Sequence, residues 1–183
     1  MDLLNMELRD VRPVERVVIG MVSPYDETSY LTPDPNGERI RRGAFAKSIA
    51  QRQTKIPLLR NHDRASRMGV SRSFAETPEG LLGEFVVNEG GAGDQLLEDA
   101  RNGYLGAMSA GFMPLGQLAR GSDGVREVAE AKLVEVSLVA LPAYEGSGML
   151  SVRHAGDIDE LLKPFQNPPV VNLAPLPPFG YRR

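Results

Sequence analysis

Lys132-Leu133-Val134-Glu135-Val136-Ser137-Leu138-Val139-Ala140-Leu141 is the stretch whose reading decides the fold. It is rich in β-branched and other apolar residues and contains neither Gly nor Pro, which predicts a strand. Side chains alternate along a strand. Leu133, Glu135, Ser137 and Val139 are therefore expected on one face, and Val134, Val136 and Leu138 on the other. Glu135 is the one acid in the run. Facing solvent, it would be ordinary alternation. Facing inward, a carboxylate needs a partner. The chain has two histidines, His62 and His154, and His62 is the natural candidate.

Working outward, other runs have the same character. Glu15 to Val22 reads as a strand, and Glu38 to Arg42 as a short one. Lys55 to Arg60 is a short apolar strand in which Pro57 implies an edge or a strand start. Met68 to Ala75 and Leu81 to Val87 pair as a hairpin through Glu76-Thr77-Pro78-Glu79-Gly80. Strands are expected again at Leu105 to Met113 and Val125 to Glu130. Two helices are predicted. One runs from Gly43 to about Gln53, with Phe45 and Ile49 on one stripe. The other starts at Asp94 as N-cap, carries Leu96, Leu97 and Ala100, and ends with Gly103 at C′. Many short strands and two helices predict a mainly β, α+β domain, a closed or nearly closed antiparallel barrel with flanking helices. The domain is expected over 14–155. Residues 1–13 read as a lead-in. Residues 156–183 read as a tail, with one short helix near Gly156–Phe165 and six prolines from Pro164 onward.

Composition removes several chemistries. The chain of 183 residues has no cysteine, so disulfides, thiol nucleophiles and Cys-ligated zinc are excluded. Two histidines cannot make a three-histidine metal site, and no His-Glu-x-x-His motif is present; neither a metal nor another cofactor is expected. No apolar run approaches about 18 residues, so no membrane helix is expected. The first residues lack the features of a secretory signal, which makes the cytoplasm the expected compartment. A net charge of −3 does not suggest a nucleic-acid binder. The charge is uneven, however. Arg39 to Arg72 holds ten basic residues and one acid, Asp63. Such a stretch is either a set of solvated faces or a basic surface that steers an acidic partner or nucleic acid.

Three residues could carry chemistry. His62 lies where the strand Leu58-Leu59-Arg60 gives way to Asn61-His62-Asp63, a strand end that suits a functional site. Ser109 lies in Gly106-Ala107-Met108-Ser109-Ala110-Gly111-Phe112. Ala107 stands where a Gly-x-Ser-x-Gly elbow needs glycine, so Ser109 is no nucleophile elbow. It is either a strand serine with small neighbours or a nucleophile that those neighbours leave accessible. In the second case, N–H groups at Ala110 and Gly111 are candidate oxyanion donors. Glu135 is the third residue.

In order, Val18-Ile19-Gly20-Met21, Arg42-Gly43-Ala44-Phe45, Leu58 to Asp63, Met68-Gly69-Val70, Ser109-Ala110-Gly111-Phe112, Glu135-Val136-Ser137-Leu138-Val139 and Leu141-Pro142-Ala143 resemble the tailed-phage prohead serine proteases. These are distant relatives of the herpesvirus capsid-maturation protease. The resemblance spans roughly residues 14–153. It implies a β-barrel serine endopeptidase with His62 as base, Ser109 as nucleophile and Glu135 as the acid. Asp63 is a competitor for the third place. His154 lies past the matched core. The resemblance also implies cleavage of the phage major capsid protein or its scaffold segment, and of the enzyme itself. That work would take place inside the assembling prohead in the host cytoplasm, and a homo-oligomer is left open. A non-enzymatic head-assembly module of the same fold is the alternative. Intact His62 and Ser109 argue against it.

Overall fold

A computed structural model describes residues 16–52, 55–117 and 119–153. In chain order the elements are β1 (Val17–Pro24), β2 (Thr28–Ser29), β3 (Glu38–Ile40), α1 (Ala46–Ala50), β4 (Pro57–Arg60), β5 (Asp63–Glu76), β6 (Gly80–Val87), α2 (Gly91–Arg101), β7 (Ala107–Pro114), β8 (Ala119–Arg120), β9 (Arg126–Val128), β10 (Ala131–Val139) and β11 (Met149–Arg153). The expected lead-in, the short helix near Gly156, the proline-rich tail and His154 lie outside the described residues.

Seven strands form one sheet in the order β11-β1-β6-β5-β4-β10-β7. The sheet curls into a half-barrel, so that β1 also packs against β7. The mainly β architecture with flanking helices is as expected. One pairing departs from an antiparallel barrel: β4 runs parallel to β10, with Leu58 opposite Val136 and Leu59 opposite Ser137. A second sheet, β2-β3-β9-β8, lies beside it. The main core gathers Val18, Val22, Phe45, Leu58, Leu81, Phe85, Leu96, Met108, Leu133, Val136 and Leu138. Val17 and Ile19 pack with Ala75 and Val86 in a separate cluster, so β1 is buried on both faces. Phe45 is fully buried and meets Phe112 edge-to-face at 5.6 Å between ring centres, a pair contributing about 1 kcal/mol beyond its burial.

Strand β10 departs from simple alternation. The register shifts between Leu133 and Glu135: Leu133 lies opposite Phe112, and Glu135 opposite Gly111. Val134 is the extra residue of a β-bulge. The expectation that Leu133 shares a face with Glu135 is therefore corrected. Leu133 joins Val136 and Leu138 in the core, while Glu135, Ser137 and Val139 face the other side. A bulge frees backbone groups that need partners, and the segment around α1 supplies them. Ser48 Oγ accepts the Leu133 N–H at 3.1 Å, and the Arg52 guanidinium donates to the Leu133 and Val134 carbonyls.

Helix α1 is shorter than the expected 43–53. Gly43 has φ +78°, outside helical geometry, and Arg52 leaves the helix to reach the bulge. Helix α2 starts at Gly91 with Gly90 as N-cap, so Asp94 is not the cap. It sits in the first turn, where a carboxylate suits the helix dipole, and pairs with Arg16 at 2.5 Å. Gly103 follows the Asn102 C-cap with φ +76°, the expected C′ glycine. Strand β5 begins at Asp63 rather than Met68, because an exposed ribbon, Asp63 to Arg67, extends the β4–β5 hairpin.

Candidate active site

Arg60 pairs with Asp63, leaving Asn61 and His62 as a two-residue hairpin loop. Their φ values are +51° and +60°, the type I′ arrangement. Left-handed backbone costs a non-glycine residue energy, so something must hold it there. Strand β10 does so: Asn61 N–H donates to the Leu138 carbonyl at 3.1 Å, and His62 N–H donates to Ser137 Oγ at 3.0 Å. The parallel β4–β10 pairing thus carries the turn onto the non-core face of β10.

There the His62 ring meets Glu135. Nδ1 lies 2.7 Å from Glu135 Oε1. Ser137 Oγ donates to Glu135 Oε2 at 2.8 Å. Both carboxylate oxygens of a residue only 8% exposed are thereby satisfied. Glu135 faces inward with His62 as its partner. The hydrogen bond that Glu135 accepts, partly opposed by burial, raises the imidazole pKa above its ordinary value. Asp63 is turned away and accepts the Ala65 N–H.

Ser109 lies on β7, directly opposite Ser137, as Gly111 lies opposite Glu135. Opposed residues of an antiparallel pair share a face. Ser109 and Gly111 therefore face the same side as Glu135 and Ser137. Gly111 is glycine for a steric reason: a Cβ there would sit 1.9 Å from Glu135 Oε1. The carboxylate lies over its Cα. Ser109 is 5% exposed, and its hydroxyl forms no side-chain hydrogen bond among the described residues. The structure thus joins His62 to Glu135 by direct contact and sets Ser109 beside them by register. For Ala110 and Gly111, strand geometry adds a constraint: consecutive N–H groups of a ladder strand point opposite ways, so only one can be turned away from β10.

Ser137 was not singled out from sequence. The available signal was its i+2 spacing from Glu135, which puts both on one face of β10. A cleft of about 480 Å³ lined by Lys47, Ser48, Arg52, Glu130 and Lys132 lies near the bulge and includes none of the three candidate residues. At least five members of the basic stretch are neutralised in space: Arg39 by Asp123 and Glu127, Arg41 by Asp26, Lys47 by Glu130, Arg60 by Asp99 and Arg72 by Glu84. This favours paired, solvated faces over a single steering surface. Among the described residues no group of acids and histidines could hold a metal ion, and no helix is long and apolar enough to cross a membrane.

The model of one family, the caudovirus prohead serine proteases, matches residues 5–160. No curated protein matches. Several solved structures are similar. The varicella-zoster virus protease is 17% identical, with 73% of this chain and 62% of that chain covered and a TM-score of 0.43. This chain thus spans less than two thirds of that protease. A Kaposi's sarcoma herpesvirus protease in complex with an allosteric inhibitor is 12% identical, with 91% and 99% covered and a TM-score of 0.45. The bacteriophage T4 capsid assembly protease is 17% identical, with 68% and 98% covered and a TM-score of 0.40.

Proposed function

The chain belongs to the caudovirus prohead serine protease family, whose work is proteolysis in phage head maturation, and from that premise we propose that it is a serine endopeptidase using Ser109, His62 and Glu135. The observation that carries the assignment is the 2.7 Å contact between His62 Nδ1 and Glu135 Oε1, on the strand face that Ser109 shares.

An ionised carboxylate only accepts hydrogen bonds, so Nδ1 carries the proton and Nε2 keeps its lone pair. Neutral His62 takes the Ser109 hydroxyl proton on Nε2 as Oγ attacks the scissile carbonyl. The imidazolium that forms is stabilised by Glu135 and passes its proton to the leaving amine as the C–N bond breaks. Water, deprotonated by the same nitrogen, then hydrolyses the acyl-enzyme and regenerates the serine. Whichever of Ala110 and Gly111 turns its N–H outward is the oxyanion donor on this strand.

The substrates are the capsid protein or its scaffold segment, met inside the assembling prohead. The enzyme also trims its own chain, in the lead-in before residue 14 or the tail after residue 155. The test is mass spectrometry of the chain with its cognate capsid or scaffold protein, with Ser109 intact and with Ser109→Ala. Fragments and terminal trimming should appear only with Ser109. Equal cleavage by both would end the serine mechanism. A folded wild-type chain that cleaves nothing would favour the non-enzymatic assembly module.

A further inference from the structure

The contacts around Ser137 form a closed circuit. The main-chain N–H of His62 donates to Ser137 Oγ, Ser137 Oγ–H donates to Glu135 Oε2, and Glu135 Oε1 accepts from His62 Nδ1. His62 is thus tied to one carboxylate at both ends, through its ring directly and through its backbone by way of one hydroxyl. Ser137 is fully buried, in a β10 segment paired on both sides. Its hydroxyl is a fixed point between a strand and a turn. No other side chain among the described residues bonds Glu135 Oε2.

We propose that Ser137 is a positioning residue of the catalytic group, whose hydroxyl locks the Glu135 carboxylate and the His62 turn into one geometry so that Nδ1 carries the proton and Nε2 is aimed for proton transfer. The proposal rests on the reading of His62 as the base and adds a residue to it. The physical reason is twofold. A Glu side chain has three rotatable bonds, and one hydrogen bond to a half-exposed ring leaves its carboxylate plane free to turn; a second bond, to the other oxygen, fixes the plane. The left-handed His62 backbone likewise needs an acceptor for its N–H, and Ser137 supplies it. Ser137 touches neither substrate nor the proton in flight. It acts only through Glu135 and His62.

The test uses the full chain and two readouts. With only two histidines, the imidazole resonances of His62 can be assigned by comparison with a His154→Ala variant. Glu135 is the charged group in direct contact with the His62 ring, so the ring's titration reports their contact. Ser137→Ala should move the His62 titration midpoint down toward the ordinary imidazole value. It should also weaken the protected Nδ1–H signal and lower kcat by roughly 10- to 100-fold with KM little changed. Ser137→Cys keeps a side chain of the same shape, slightly larger, with a weaker donor. It should stay folded and fall between the two, which guards against loss of activity by unfolding of the alanine variant. A Ser137→Ala or Ser137→Cys protein that is folded, titrates like wild type at His62 and cleaves at the wild-type rate overturns the proposal. Failure of the underlying triad has a different signature: Ser109→Ala would still cleave, whatever the His62 titration does.

Discussion

Gly111→Ala is the sharpest test of where Glu135 lies. A Cβ built on Gly111 meets Glu135 Oε1 at 1.9 Å, Cδ at 2.7 Å and Cγ at 2.9 Å. Ordinary contact requires the oxygen to retreat by about 1.5 Å, and the rest of the side chain must follow. The carboxylate cannot do so and keep both the 2.7 Å bond to His62 and the 2.8 Å bond to Ser137. Misplacing a catalytic group by about 1 Å costs roughly 10²-fold. Losing the orienting acid of a triad altogether costs about 10⁴-fold. The variant should therefore fall between these limits in kcat/KM on the cognate capsid or scaffold substrate, about 3 to 5 kcal/mol of transition-state stabilisation. Overpacking at a buried carboxylate should also lower stability by about 1–3 kcal/mol, visible as a lower melting temperature with unchanged strand content. Pairing it with Glu135→Asp, which withdraws the carboxylate by one methylene, should restore most of the stability but not the activity. Gly106→Ala is the control, because a Cβ there meets nothing nearer than 3.6 Å. Should Gly111→Ala cleave at the wild-type rate, the carboxylate is not over that Cα and Glu135 is not the third member.

The remaining predictions concern pH and boundaries. In the proposed mechanism neutral His62 is the active form, and its pKa is raised, chiefly by the Glu135 hydrogen bond. The kcat/KM profile should therefore rise with a midpoint above the ordinary imidazole value, and Glu135→Gln should move that midpoint down while lowering the plateau. The stability linkage has the matching sign: a raised folded pKa stabilises the protein below the ordinary imidazole value, and this contribution is lost as pH rises through the folded value. The domain is proposed to end near residue 155. A chain cut there should melt cooperatively, whereas one cut at residue 148 loses β11, leaves the β1 edge unpaired and should melt lower or expose an aggregating edge, as thermal scans with light scattering would show.

What was legible in the sequence was local. β1, β6 and β10 are dense in apolar and β-branched residues, β7 is mostly apolar, and the β5–β6 hairpin is marked by its turn, so pattern alone found them. The bulge at Val134 was not legible, because Leu133 and Val134 are both apolar and hydrophobicity alone does not say which of them keeps the register. It shows only in the partner, where Phe112 and Gly111 are neighbours although Leu133 and Glu135 are not. The sequence left the orientation of Glu135 open and gave only that an inward carboxylate would need a partner, with His62 as the candidate; the contact between them is a finding of the structure. The parallel β4–β10 pairing that delivers His62 was hidden, since it joins segments more than 70 residues apart. The start of β5 was missed because Asp63 to Arg67 is exposed and polar, and hydrophobic periodicity cannot mark a strand with no core face there.

The site divides labour between parts of unequal stiffness. Ser109 and Glu135 sit on paired strands, where the ladder fixes their Cβ positions and the choice of glycine at 111 leaves room for the acid. His62 sits on a turn in left-handed backbone, which costs a non-glycine residue on the order of 1–3 kcal/mol. Two main-chain hydrogen bonds to β10, each contributing about 0.5–1.5 kcal/mol, offset that cost only if both are made. The strain and its compensation therefore meet at the same strand. Asn-Gly would suit this loop better by turn chemistry, and a chain selected for hairpin stability alone would carry it. A histidine held there against its backbone preference, by bonds from the strand of its own carboxylate partner, is what the proposed role of the ring predicts.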